Sequence, residues 1–179
     1  MHVSKKTCVT LVAACQLAAS IALAQAISLP DRAAARPDTT NSVPHQQLGV
    51  VPVPSLVEKM LDQVDALPGV GLDPTRISLP GTIGFHLDRD MQIMTSRAAV
   101  GGREFAHLHP DGSLHATLLP DIAAQAVRAG WATPHPWATL RPGWDGFVMI
   151  YTPRTESELE IVLRLIEQAY LHVTGRTKI

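Results

Sequence analysis

The stretch Phe105–Pro120, FAHLHPDGSLHATLLP, constrains the fold more tightly than any other part of the chain. Two runs with alternating apolar residues flank Asp111-Gly112, a strong turn signal, so the segment reads as an antiparallel hairpin. Buried members of a two-sided sheet must share a face, and opposed residues in an antiparallel pair have a constant sum of positions. Placing Leu108 beside Leu114 or Ala116 therefore needs a sum of 222 or 224. Both sums are even, which demands an odd-numbered loop, such as three residues with Gly112 left-handed. That register turns His107, His109, His115 and Thr117 together onto the opposite face. A two-residue loop on Asp111-Gly112 would send His115 away from the other two.

The flanking segments supply the remaining elements. Ser55 followed by Glu58 has the pattern of a capping box, and Leu56, Met60, Leu61 and Val64 then fall at helical spacing. Pro68-Gly69-Val70-Gly71 ends that helix in a turn-rich passage, after which Gly81 to Leu87 is strand-like. Pro120 and Asp121 introduce a short alanine-rich helix that stops at Gly130. From Trp131 to Trp137 the backbone is expected to stay extended, because Pro134 and Pro136 bracket His135. Gly146 to Tyr151 has the composition of a buried strand. Thr155 caps a last helix, with Glu158 in the reciprocal position and a wide apolar face along Leu159, Val162, Ile166 and Tyr170. This order predicts an α+β fold: a small, mostly antiparallel sheet with a central hairpin, packed by two or three helices.

The N-terminus reads differently. Lys5 and Lys6 precede an uncharged run of 18 residues, and Ala22-Leu23-Ala24 and Ala24-Gln25-Ala26 match A-x-A cleavage spacing. Residues 1–26 are therefore expected to be an export signal, with a periplasmic or secreted product that is not stably inserted in a membrane after cleavage. The rival readings are a membrane anchor through residues 7–26 and a lipoprotein lipidated at Cys15. Residues 27–54, with five prolines from Pro30 to Pro54 and no apolar period, are expected to be a flexible linker, and 55–179 the domain. Both cysteines, Cys8 and Cys15, lie in the leader, so the processed chain has neither disulfides nor thiol chemistry. Removing Lys5 and Lys6 leaves 13 basic residues against 16 acidic, a net charge of −3. Nucleic-acid binding normally shows a basic excess, so DNA and RNA are not expected partners.

Three ordered motifs, EFAHLHPDGSLHATLLP, GWATPHP and VMIYTPRTESELEIVLRLIEQAY, resemble the luciferase-domain family, named for the fungal luciferase, over roughly Leu72 to Gly175. The resemblance implies an enzyme that adds oxygen to a hydroxylated pyrone and releases light as the product decays. For an exported relative it suggests an oxygen-using oxidoreductase acting on a small hydroxylated or enolisable ring compound. The alternative is a non-catalytic periplasmic module that binds a small molecule or a partner.

Three readings of His107, His109 and His115 stay open: a metal site, an acid–base or substrate face for an anionic enolate, and histidines that bond loops or face water. For metal, an acidic ligand to complete the set is not evident, so none is expected. No cofactor is expected either, since an enolisable substrate can supply the electrons. Arg154, at the positive end of the last helix, could hold a carboxylate or enolate, or be a surface arginine. His135, flanked by Trp131 and Trp137, is the candidate wall for stacking a planar substrate, although aromatic residues also serve as core or rim. Glu104 is a candidate base or an exposed strand-edge carboxylate. The sequence has no GxGxxG, Walker, GxSxG or HExxH motif, so nucleotide cofactors and the commonest hydrolase mechanisms lack support.

Overall fold

In the computed structural model, which describes residues 27–179, an extended arm leads into helix α1 (Pro54–Asp65) and strands β1 (Val70–Pro74) and β2 (Ile83–Leu87). The hairpin β3 (Glu104–Leu108) and β4 (Leu114–Thr117) follows, then α2 (Pro120–Arg128), β5 (Ala132–Pro134), α3 (Pro136–Leu140), β6 (Phe147–Ile150) and α4 (Glu156–Thr174). The strands form one sheet in the order β1-β2-β3-β4-β6-β5, with every neighbouring pair antiparallel. This is the α+β architecture expected from the sequence. The leader, the alternative anchor and Cys15 lie outside the described residues.

The hairpin has the even register. Ala106 pairs with Ala116, His107 with His115 and Leu108 with Leu114. His109 N–H donates to Ser113 O, closing a three-residue loop in which Gly112 is left-handed at φ 82°. The apolar side chains of this register join Phe85, Val148 and Ile150 on one face, where α4 lies across β3 and β4 and packs against α1. Tyr170, Leu165 and Ile166 of α4 and Met60 of α1 are fully buried there. Burial of about 1.5–3 kcal/mol per large apolar side chain makes this layer the main source of stability in a domain without disulfides.

One irregularity reassigns a side chain. Phe85 pairs with Ala106 and His86 with Glu104, so Phe105 is the extra residue of a β-bulge. The bulge turns Phe105 into the core, 6.0 Å from the Tyr170 ring, and brings Glu104 onto the same face as His107 despite their opposite parity.

Several local expectations are corrected. Helix α1 starts at Pro54 behind Val53, because proline's fixed φ suits the first helical position; Ser55 therefore lies inside the first turn and cannot cap it. The turn-rich passage contains β1. The Trp131–Trp137 segment is extended only to Pro134: Pro136 starts α3, and His135 Nδ1 caps it by accepting from Trp137 N–H at 3.0 Å. Thr155 caps α4 as expected, but Glu158 accepts from Arg154 N–H rather than from Thr155.

The largest correction concerns residues 27–54, which lie against the domain instead of forming a free linker. Arg32 donates to both carboxylate oxygens of Glu158 at 3.2 and 3.0 Å, and its backbone N–H donates to Ala129 O. Pro30 O accepts from the Trp131 indole, and Gln47 donates to Thr152 Oγ1 at 2.8 Å. A small bridged turn from Thr39 to Gln47 carries Val43, Pro44 and His45 to the sheet. Proline-rich composition here sets an extended path, and polar side chains at intervals fasten it.

Candidate functional site

On the sheet face opposite α4, His107 and His109 project from the end of β3 and His115 from β4, as the register dictates. They are not a wet surface. Each is 4–5% exposed, as are His45 from the arm and His135 before α3. Five imidazoles thus share one buried patch, with ring centroids of neighbouring pairs 4.6–5.3 Å apart.

The hydrogen bonds set an order among them. Glu104, buried rather than exposed at a strand edge, accepts from His107 Nδ1 at 2.7 Å and from the Thr75 hydroxyl at 2.9 and 3.0 Å. Gly84 makes room for that carboxylate, because a Cβ there would lie 2.7 Å from Glu104 Oε2. With His107 Nδ1 protonated, its Nε2 is an acceptor, so His115 Nδ1–H donates to it across 3.1 Å. His115 Nε2 then accepts from His45 Nδ1–H at 3.2 Å, which leaves the Nε2 lone pair of His45 at the end of the chain. Separately, the Ser113 hydroxyl donates to Asp111 and so accepts from His109 Nδ1, leaving His109 Nε2 unprotonated. His135 has the opposite tautomer, because its Nδ1 lone pair caps α3.

Burial keeps His45, His109, His115 and His135 neutral. It lowers His45 and His109 to about 4 and His135 to about 3, and holds His115 well below the usual imidazole range, with the neighbouring imidazoles pushing the same way for all but His45. Neutral imidazoles accept protons and bind metals; cationic ones do neither.

His45, His107, His115 and His135 line one side of a cavity of about 370 Å³, with Trp137 and Phe147 beside them. Ile77, Leu79, Val100, Val43 and Pro44 complete its mostly apolar wall. Trp137 stands at right angles to Trp144, and the Arg141 guanidinium sits 3.7 Å above the Trp137 ring. The volume suits a small planar molecule, bounded by imidazole nitrogens and by the aromatic surface beside them.

Of the residues proposed from sequence, His107, His109, His115, His135 and Trp137 are brought together. Arg154 and Trp131 are not: they border a different cleft with Glu158 and Ile161. Arg154 is exposed, and the N-terminal end of α4 already holds the Glu158 carboxylate paired with Arg32. His45 was missed, since nothing in a proline-rich arm distinguishes a docked histidine from a solvated one. Glu104 was misread because the bulge that turns it inward leaves no mark in the alternation.

The Luciferase domain model matches residues 102–169, which hold the hairpin, His135 and most of α4. The luciferase of Armillaria gallica is 30% identical over 167 residues, covering 82% of this chain and 62% of that protein. The luciferases of Armillaria mellea and Neonothopanus nambi are 37% and 32% identical over 79 residues, 41% of this chain and 29% of each relative. The chain thus spans less than two thirds of the length of these relatives. No solved structure matches it. The matched stretch, residues 102–169 built around the histidine-bearing hairpin, is a luciferase domain.

Proposed function

We propose that this chain is an exported oxygen-using oxidoreductase whose substrate is a small hydroxylated or enolisable ring compound. The observation that carries this reading is the cavity itself: neutral imidazoles face an otherwise apolar, aromatic-walled space of about 370 Å³. A planar ring fits against Trp137 and Phe147, and its hydroxyl meets His45 and His135. Deprotonation gives the electron-rich enolate that dioxygen oxidises. The proton enters at His45 Nε2, and the chain through His115 and His107 relays positive charge towards Glu104. The arm and the apolar wall limit the approach of water to the anion. The relatives' name, luciferase, supports oxygen chemistry in the family.

The test is oxygen uptake by purified protein with hydroxypyrones and polyphenols. The expected result is saturable uptake that falls about 10²-fold or more in His45→Asn, the range over which a positioned general base contributes. His45 sits on the arm, so its replacement leaves the sheet intact. Saturable binding of these compounds with no oxygen uptake would instead establish the second reading, a periplasmic binding module, which the cavity also fits.

A further inference from the structure

We propose that His107, His109 and His115 form a binding site for one divalent first-row transition ion, oriented by Glu104 and Ser113. From sequence alone the trio lacked an acidic ligand to complete the set, and the fold adds none; what it adds is a carboxylate that orients His107, through the bulge that turns Glu104 inward.

Two overlapping triads have suitably placed nitrogens, all within 4.8 Å of one another in each: His107, His109 and His115, and His45, His115 and His135. Tautomer chemistry separates them. A ligating imidazole needs an unprotonated nitrogen facing the ion and an acceptor for the N–H on its other side. His107 has this arrangement, with Nδ1–H on the Glu104 carboxylate and Nε2 free of a proton. His109 repeats it, with Nδ1–H on Ser113 Oγ, which is itself fixed by Asp111. His115 needs only to move its proton from Nδ1 to Nε2, where His45 Nδ1 stands 3.2 Å away as acceptor. His135 fails, because its Nδ1 lone pair is committed to the α3 cap and its Nε2 therefore carries the proton.

Spacing agrees. His107 Nε2 and His115 Nδ1 are 3.1 Å apart, close to the ~3.3 Å that separates two imidazole nitrogens on a tetrahedral ion with bonds of 2.0–2.1 Å. All three imidazoles are buried, and the ligand set is purely nitrogen, which selects zinc, iron, cobalt, nickel or copper over magnesium and calcium. Three protein ligands leave a coordination position open, as in catalytic rather than structural sites. An ion here replaces the His107–His115 hydrogen bond and turns His45 Nε2 from acceptor to donor. The inference does not rest on the oxidoreductase reading, and its test involves no substrate.

The experiment uses untagged protein equilibrated with Zn²⁺ and then with metal-free buffer, followed by elemental analysis, calorimetric titration of the wild type, and the visible spectrum after Co²⁺ loading. One retained equivalent of zinc is expected, together with a Co²⁺ spectrum of nitrogen ligation. His107→Ala and His109→Ala should lose it, and Glu104→Gln should weaken it about 10–100-fold, the range for an outer partner. His135→Ala should keep it. Substoichiometric zinc in the wild type overturns the site even if every variant fails to fold. Retention by folded His107→Ala and His109→Ala, or loss from folded His135→Ala, overturns the assignment to this triad.

Discussion

Burial holds four of the clustered histidines, His45, His109, His115 and His135, neutral, and that neutrality has a consequence for stability. His45, His109 and His135 have native pKa values of about 4, 4 and 3, below the ordinary value of 6.5. Between those limits the unfolded chain binds more protons than the native one, so stability rises with pH through this window and is lost as pH falls below 6.5. Each such histidine adds a slope of up to about 1.4 kcal/mol per pH unit. Metal-free protein should therefore show a steep fall in melting temperature from pH 6.5 to 4, shallower in His135→Asn. A flat profile would mean that the imidazoles are charged or solvated in the native state. Glu104 adds the complementary lesson that a carboxylate at the start of a strand can be turned inward if one backbone residue bulges.

At the level of elements, one buried ion pair joins the arm to α4. Arg32, with a side chain 1% exposed, meets Glu158 at the first turn of α4, where a carboxylate is also favoured by the helix dipole. Removing one partner of a buried pair leaves a stranded charge and costs about 3–5 kcal/mol, whereas replacing both with apolar groups is often neutral. Arg32→Ala should thus raise amide exchange across the described arm and loosen His45, while Arg32→Met with Glu158→Leu should restore protection. Unchanged exchange in Arg32→Ala would show that other contacts hold the arm. This also marks where sequence was legible. The hairpin register followed from parity and loop arithmetic alone, and with it the common face of His107, His109 and His115. The His45, Glu104 and Arg32 placements followed from nothing local, because they arise from a bulge and from contacts as much as 126 residues apart. Arg154 shows the converse: its position at a helix start suggested an anion site, but the fold fills that position with Glu158.

For the whole molecule, the question that residues 1–26 pose is whether the chain is exported. Among the described residues no helix is long and apolar enough to cross a membrane. The export proposal rests on Lys5, Lys6, the uncharged run and the A-x-A sites. Mass spectrometry of the native N-terminus should find Gln25 or Ile27. An intact Met1 in the membrane fraction would mean an anchor, and a diacylated Cys15 a lipoprotein. A start at Ile27 would leave the arm whole, since Ile27 and Leu29 are themselves buried against the domain.

The docking of that arm also imposes a schedule on synthesis. His45 leaves the ribosome early, but Thr152 and Glu158, which anchor Gln47 and Arg32, emerge more than a hundred residues later. The cavity cannot close on a partial chain. Until the final helix has begun, the first-made segment has no seat, and the histidine face of the nascent chain stays open.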